Sequence, residues 1–174
     1  MGRKIAIPIV AALLALAAAT GCNTSGCLDN QSALPLAEFR SSATGAAIAV
    51  DSLEVVGVDA PDGDVLSEAT PSKTQLYLPM RSTKNNTAWR LIYRQKHLEQ
   101  AGIEDVVSFD YESIPYFASE ECGATYRYRV TRVDYTTNVV DRVVMADSLI
   151  TNVDQVSILI YFRTGGPDGE GGEE

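Results

Sequence analysis

Three cysteines are the residues of this chain whose type and spacing point most directly to chemistry. Cys22 follows Ala19-Thr20-Gly21 at the end of an apolar run, Cys27 comes five residues later, and Cys122 lies far along the chain. In a protein that leaves the cytoplasm, a thiol can accept a lipid or be oxidised to a disulfide. Cys22 is therefore a candidate for lipidation, and Cys27 is a candidate for a disulfide.

The segment before Cys22 has the order of a secretory signal. Positive charge at Arg3 and Lys4 is followed by the apolar residues 5–19 and then by small residues. A transmembrane helix is disfavoured because the run is shorter than the ~20 residues needed to span a bilayer and contains Pro8. The junction resembles a bacterial lipobox, although Leu is commoner three positions before the cysteine. We expect a diacylglycerol on Cys22, with secretion without a lipid as the alternative.

Cys27 and Cys122 remain as a pair once Cys22 carries a lipid. Export through an oxidising envelope allows them to form a disulfide that ties the mature N-terminus to the middle of the fold. Loop-entropy models assign a crosslink over about a hundred residues a stabilisation of about 4–5 kcal/mol. Two reduced structural cysteines are the alternative.

No set of side chains typical of an enzyme emerges from the sequence. His97 is the only histidine, and it lies in a polar stretch where a solvated side chain is favoured over a general base. Glu120 and Glu121 are neighbours, so in an extended chain they point to opposite faces and cannot flank one glycosidic bond. We expect no catalytic residues and no enzymatic activity.

Clustered carboxylates at Asp59, Asp62 and Asp64 raise the question of a calcium site. Their spacing does not fit an EF-hand. The first and twelfth positions of such a loop must supply oxygen ligands, and here they would fall on the apolar residues Val58 and Ala69. A solvated acidic turn is the simpler interpretation, and one histidine with two paired cysteines leaves too few ligands for zinc. We expect no metal and no cofactor.

The net charge and the length of the chain limit the partners and the number of domains that it can have. The formal net charge is −9, and the predicted leader carries basic but no acidic residues, so the mature chain is more acidic still. Such a surface repels nucleic acid, and we expect no nucleic-acid partner. Removing residues 1–21 leaves enough chain for one domain with a sizeable core.

Apolar and polar residues alternate along most of the remaining chain, which predicts β-strands. The alternating segments are residues 33–40, 53–58, 76–78, 89–93, 107–111, 126–130, 139–145 and 156–162. A parity change between Val55 and Val56 predicts a bulge, residues 59–72 a loop, and Ile114-Pro115 a bend. These features predict an all-β protein: an antiparallel β-sandwich, immunoglobulin-like or related, of about eight strands.

Composition also sets the expected boundaries. Residues 1–21 are the signal peptide, residues 22–32 a lipidated linker and residues 33–163 the sandwich domain. The tail at residues 164–174 is rich in Gly and Glu and should be disordered, since it has nothing to bury. Residues 96–101 fit either a helical turn or a long hairpin loop.

Period-two alternation also predicts which side chains face solvent. Aromatic side chains on two strands should face the core, with the arginines between them facing water. Four arginines would share one face, the candidate partner surface: Arg90, Arg94, Arg127 and Arg129. The alternative is an aromatic platform for a sugar or peptide, formed by Trp89, Tyr93, Tyr126 and Tyr128.

Two separated blocks of the sequence resemble one family. The first is Gly26-Cys27-Leu28-Asp29-Asn30-Gln31, and the second runs from Glu121-Cys122-Gly123 through Val139-Val140-Asp141 to Ser157-Ile158-Leu159-Ile160-Tyr161-Phe162. They are similar to an uncharacterised family of Bacteroides-type lipoproteins, described as a domain of unknown function. The resemblance implies a small β-sandwich envelope protein without enzymatic activity, with an outer-membrane barrel protein as a candidate partner.

The same resemblance bears on location and modification. Residues 23–26 carry no charge, whereas surface-bound lipoproteins of such bacteria commonly have an acidic run after the lipidated cysteine. We therefore expect a lipid-anchored outer-membrane protein that faces the periplasm. The Asp-Ser-Leu triplets at Ser52 and Ser148 resemble O-glycosylation sites of these bacteria, with ordinary strand-edge turns as the alternative.

The expected function is that of a non-enzymatic envelope lipoprotein, a protein-binding or structural module at the outer membrane. Its partner would bind a sheet edge or the face that carries the arginines. A carbohydrate- or ligand-binding sandwich that uses Trp89 and the tyrosines is the alternative.

Overall fold

The computed structural model of the chain describes residues 33–60, 65–119 and 123–164. The predicted signal peptide and linker, residues 1–32, and the predicted tail from residue 165 lie outside the described residues. Several residues singled out above also lie outside them: Cys22, Cys27, Cys122, Asp62, Asp64, Glu120 and Glu121. The lipidation, the disulfide and the domain boundaries therefore stay predictions.

Strands dominate the described residues, and they form two sheets that pack face to face. In chain order they are β1 (Leu36–Ser41), β2 (Leu53–Gly57), β3 (Val65–Thr70), β4 (Gln75–Tyr77), β5 (Asn86–Tyr93), β6 (Glu104–Ser119), β7 (Gly123–Tyr135), β8 (Val140–Met145), β9 (Leu149–Ile150) and β10 (Val156–Phe162). One sheet has the order β4-β1-β10-β8 and the other the order β3-β2-β5-β6-β7-β9. The predicted β-sandwich is confirmed.

One pairing departs from the antiparallel arrangement. β1 and β10 run parallel in the middle of the four-stranded sheet, with Phe39 opposite Ile160. Parallel neighbours need a long crossover, and here almost the whole domain lies between them. Alternation within a strand predicts its buried face but not its partner, so this pairing was not predictable from the sequence.

The core lies between the sheets and is built by the inward side of each strand. The ring of Phe162 in β10 packs edge-to-face against Phe39 at 5.3 Å and against Tyr93 of β5 at 6.4 Å, so it bridges both sheets. On β5, Trp89 and Leu91 are buried beside Tyr93 while the residues between them are not. The predicted buried face of this strand is confirmed.

The region of residues 59–72 was predicted as a loop, and this was wrong in part because β3 lies within it. Among the described strands, β3 is an edge strand that pairs only with β2, and its side chains are exposed or half-buried. A strand without a buried face shows no apolar–polar alternation, so nothing in the sequence distinguished it. The bulge predicted between Val55 and Val56 is confirmed by a register shift against β3.

The long β6–β7 hairpin corrects a second prediction. No bend follows Ile114, because β6 continues through Pro115, which lies opposite Tyr126 of β7. The pairing of β5 with β6 ends at Asp110, so further along β6 has a neighbour on one side only. A residue without an N–H is tolerated at such an edge.

The helical turn that was one alternative for residues 96–101 is present as α1 (Lys96–Gln100). Within the described ranges, no helix is long and apolar enough to cross a membrane.

The described residues form ten strands, two more than the eight predicted, and the two additional strands are β3 and the two-residue β9.

Candidate functional site

The four arginines proposed as a partner surface lie on the outward side of the six-stranded sheet. Arg90 is on β5 and Arg94 directly follows it, whereas Arg127 and Arg129 are on β7. β6 runs between the two pairs. We call this surface the arginine face.

Acidic side chains of β6 partly neutralise the arginine face. The Arg90 guanidinium lies 3.7 Å from a carboxylate oxygen of Glu104. That of Arg129 lies 3.6 Å from a carboxylate oxygen of Glu112. Both pairs are exposed, so each contributes little to stability, but each reduces the positive charge available to a partner.

Arg94 is the most strongly paired member of the arginine face. It donates hydrogen bonds to both carboxylate oxygens of Glu54, over 3.0 and 2.9 Å, and one to Glu99 over 3.2 Å. The hydrogen bond from Arg94 lowers the pKa of the Glu54 carboxyl below its usual value. The arginine face thus carries paired positive and negative charges and is not a continuous positive patch.

Arg127 differs from the other three members of the arginine face. Its guanidinium stacks on the ring of Tyr116, 3.5 Å from the ring centroid. Its Nε is buried without a hydrogen-bond partner among the described residues. A cation over a tyrosine face is stabilised by the ring quadrupole, so Arg127 packs along the β6–β7 hairpin.

The aromatic residues do not form the surface platform considered above. Trp89, Tyr93 and Tyr128 are buried in the core, and only Tyr126 is substantially exposed. β6 also separates the strand of Trp89 from that of Tyr126. A flat aromatic platform for a sugar is therefore not assembled here.

A cavity of about 290 Å³ lies beside Trp89, where β2 ends and β3 and β5 begin. Its walls are mainly apolar and include Val65, Leu66 and Pro79 together with the indole ring. The indole Nε1 is buried and has no hydrogen-bond partner in the described part of the chain. We call this space the Trp89 cavity.

Arg81 is the charged residue that lines the Trp89 cavity. Its guanidinium forms no ion pair or hydrogen bond with the described residues. The Tyr111 hydroxyl holds its backbone, accepting from the Arg81 N–H and donating to the Arg81 carbonyl, both over 3.0 Å. The Thr87 hydroxyl lies 2.8 Å from the Tyr111 hydroxyl oxygen. Arg81 lies in a loop without periodicity, so no pattern in the sequence indicated its role.

Asp105 of β6 is a fully buried carboxylate that no local pattern in the sequence indicated. It accepts five hydrogen bonds, from the hydroxyls of Tyr93 and Thr136 and the N–H groups of Asn138, Val139 and Val140. Burial raises the pKa of this carboxyl, but the hydrogen bonds outweigh burial and the pKa lies below its usual value. Because β8 begins at Val140, Asp105 connects the two sheets.

The remaining candidate residues are dispersed. His97 is exposed on α1 and has no hydrogen bond or ion pair to a described residue. Ser148 is exposed between β8 and β9, whereas Ser52 is half-buried in a left-handed turn with φ 53°. Among the residues that the structure describes, no group of three acidic, His or Cys side chains could hold a metal ion. Glycosylation of either serine stays a prediction.

β8 is an edge of the four-stranded sheet, and the described residues pair with it only through β10. The Ala146 N–H donates to the Ser157 carbonyl over 2.9 Å. Since hydrogen-bonded positions alternate along an antiparallel pair, the backbone groups of Val143 and Met145 point away from β10. The side chain of Val144 between them is exposed, with 40% relative accessibility.

Comparison with known proteins gives one match. Residues 52–162 match the model of a family described as a family of unknown function (DUF6452). No curated protein and no solved structure matches the chain. The match begins at β2 and ends with β10, so it covers nearly the whole sandwich.

Proposed function

Because the chain belongs to the family of unknown function DUF6452, we propose its role from its own residues. It is a non-enzymatic lipoprotein, of the Bacteroides-type lipoprotein family that its sequence blocks resemble, anchored in the outer membrane through Cys22. It faces the periplasm and binds another envelope protein, and the observation that carries this role is the open edge of β8.

Strand addition at β8 is the binding mode that the geometry supports best. An edge strand offers unpaired N–H and C=O groups to an extended segment of a partner, and alternate side chains then set specificity. β8 contains no proline or lysine that would block such pairing. The arginine face is less suited, because three of its four members already pair with carboxylates.

Val144→Lys tests whether a partner binds at the edge of β8. A lysine at an exposed position of an edge strand opposes the addition of a further strand, while the inward side chains stay unchanged. Partners crosslinked in living cells and recovered with the full-length lipoprotein are quantified by mass spectrometry. We expect Val144→Lys to reduce the principal envelope partner at least tenfold.

Val153→Lys is the matched control, because Val153 is also exposed, at 58%, but lies in the loop before β10. It should leave partner recovery unchanged. Equal loss with both variants, or no partner enriched with the natural chain, would contradict binding at β8. If partner recovery falls only when the four arginines are replaced by alanine, the partner binds the arginine face and not β8.

Protease digestion of intact cells tests the location. We expect protection until the outer membrane is opened, and release of Cys22→Ala as soluble protein because it lacks the lipid. Digestion of the natural chain in intact cells would place it on the cell surface and contradict the periplasmic orientation.

Ligand binding is the second candidate function, and the Trp89 cavity is the observation that favours it. A carbohydrate would need contacts other than an exposed aromatic platform, since Trp89 is buried. Titration of the fluorescence of the single tryptophan with a glycan panel tests the sugar version, and no response would contradict it.

A further inference from the structure

The β6–β7 hairpin carries the buried face of the six-stranded sheet out into solvent. β5 pairs with β6 only as far as Asp110, and beyond it β6 pairs with β7 alone. Near this point Tyr111 and Tyr128 are buried and their rings pack edge-to-face at 5.3 Å. Further out on the same face of the hairpin lie Tyr126 and Phe117, which are 40% and 62% exposed.

Two more residues enlarge this apolar surface. Pro115 is exposed and lies opposite Tyr126 in the hairpin. Leu34, at the start of the four-stranded sheet, is 41% exposed and lines a cavity together with Tyr126. We call Leu34, Pro115, Phe117 and Tyr126 the apolar tip. Scattered exposed apolar residues are ordinary, but a cluster of them indicates a contact outside the domain.

The described chain begins beside the apolar tip. Ala33 is buried and lines the same cavity as Leu34 and Tyr126. Cys22, the predicted site of the lipid, precedes Ala33 by eleven residues, which reach at most about 40 Å. A lipid on Cys22 is therefore tethered to the end of the sandwich that carries the apolar tip.

The predicted disulfide would shorten this tether. β6 ends at Ser119 and β7 begins at Gly123, and Cys122 lies between them in the sequence. A bond from Cys122 to Cys27 would leave five residues between the lipidated cysteine and the hairpin, and five residues extend at most about 18 Å. The end of the hairpin would then be held close to the bilayer surface.

The chemistry of the apolar tip favours lipid as its contact. Aromatic side chains are enriched where acyl chains meet headgroups, and Phe117 and Tyr126 are the largest members of the tip. The four residues that precede Ala33 in the sequence are polar and supply no apolar cover. Since the formal net charge of the chain is −9, a zwitterionic lipid surface is favoured over an anionic one.

We propose that the apolar tip inserts into the zwitterionic interface of the bilayer that holds the lipid on Cys22. This inference rests on the lipid anchor of the proposed function and adds the orientation of the domain, with the hairpin towards the membrane. It does not depend on the partner of β8, which is an edge of the four-stranded sheet and stays open to an added strand.

Hydroxyl-radical footprinting provides a direct test. The lipidated protein, reconstituted alone into phosphatidylcholine nanodiscs, is compared with the soluble Cys22→Ala chain, and mass spectrometry measures oxidation of each aromatic residue. We expect oxidation of Phe117 and Tyr126 to fall at least about fivefold in nanodiscs, because the bilayer shields them from radicals formed in water. Tyr135, the last residue of β7 and 37% exposed, is the internal control and should be oxidised equally in both samples.

Each other outcome contradicts the proposal. Undiminished oxidation of Phe117 and Tyr126 in nanodiscs would overturn it. Low oxidation of both residues in soluble Cys22→Ala would also overturn it, because another part of the chain or a second copy would then cover the tip. The intact mass reports the lipid separately. Cys22 without a lipid would contradict the anchor as well, whereas a lipidated chain with an accessible tip would contradict this proposal alone.

Phe117→Asp gives an independent variant at an exposed position. A charged side chain is disfavoured among acyl chains, so oxidation of Tyr126 in nanodiscs should rise to within about twofold of its value in solution. Tyr135→Asp is the matched control and should leave Tyr126 protected. Continued protection of Tyr126 in Phe117→Asp would contradict insertion of the tip. Phe117→Asp should also retain the protein partner that Val144→Lys loses, which separates the two proposals.

Discussion

The phenol of Tyr93 donates a hydrogen bond to Oδ2 of Asp105 over 2.9 Å, and both side chains are almost completely buried. The same carboxylate accepts the N–H of Val140, the first residue of β8 in the opposite sheet. No cation among the described residues pairs with this buried negative charge, which five hydrogen bonds stabilise. The carboxylate fixes where the chain crosses from one sheet to the other.

Asp105→Asn should lower the free energy of unfolding by about 3 kcal/mol or more, because an amide turns one acceptor into a donor facing N–H groups. Tyr93→Phe is the matched control and should cost about 1 kcal/mol, since it removes one of the five donors. Urea denaturation of the two variants measures the difference. Equal, small losses would contradict the central role of Asp105.

Acid stability should depend on the same carboxylate. The pKa of Asp105 is lower in the folded chain than its usual value, so its contribution is complete above the unfolded pKa of about 4. The contribution is lost as pH falls through the folded pKa. Unfolding free energy measured between pH 6 and pH 2 should therefore fall less steeply for Asp105→Asn than for the natural chain, and parallel curves would contradict this assignment.

Phe162→Ala should destabilise the sandwich by about 3–5 kcal/mol, because its ring packs against Phe39 and Tyr93 and a cavity would remain between the sheets. Arg129→Ala on the arginine face should change stability by no more than about 0.5 kcal/mol. Thermal unfolding of both variants measures the contrast. Similar losses would mean that the arginine face stabilises the fold more than its exposed ion pairs indicate.

A disulfide between Cys27 and Cys122 is compatible with the point at which the described chain begins. Ala33 is buried and lines a cavity together with Thr125, three residues after Cys122. The six residues from Cys27 to Ala33 extend at most about 20 Å, a length that permits the predicted disulfide.

Peptide mapping without reductant should recover Cys27 and Cys122 in one linked peptide. Reduction should lower the unfolding free energy by about 2–4 kcal/mol, because measured disulfide stabilisation is commonly smaller than the loop-entropy value. Cys122→Ser should be insensitive to reductant. Free thiols at both positions in protein isolated from its native cells without reductant would contradict the pairing.

The sequence predicted what depends on local pattern. The inward positions of β5 and the bulge at Val55 and Val56 follow from which neighbours are apolar, and both are present. β3 was missed because an exposed edge strand needs no such pattern. Asp105 and Arg81 were missed because their environments are assembled by segments far apart in the chain, and no local pattern encodes such contacts.

The parallel pairing of β1 with β10 has a consequence for the order in which the chain can fold. Synthesis delivers β1 first and β10 last, yet these strands are neighbours in the middle of one sheet. Contacts between distant parts of a sequence form slowly because a long loop must close first. Until the last strand arrives, β1 lacks its central neighbour and Phe39 lacks the Phe162 ring. The sheet is therefore completed only when β10 is present, and a chain truncated before β10 would leave the edge of β1 exposed to proteases.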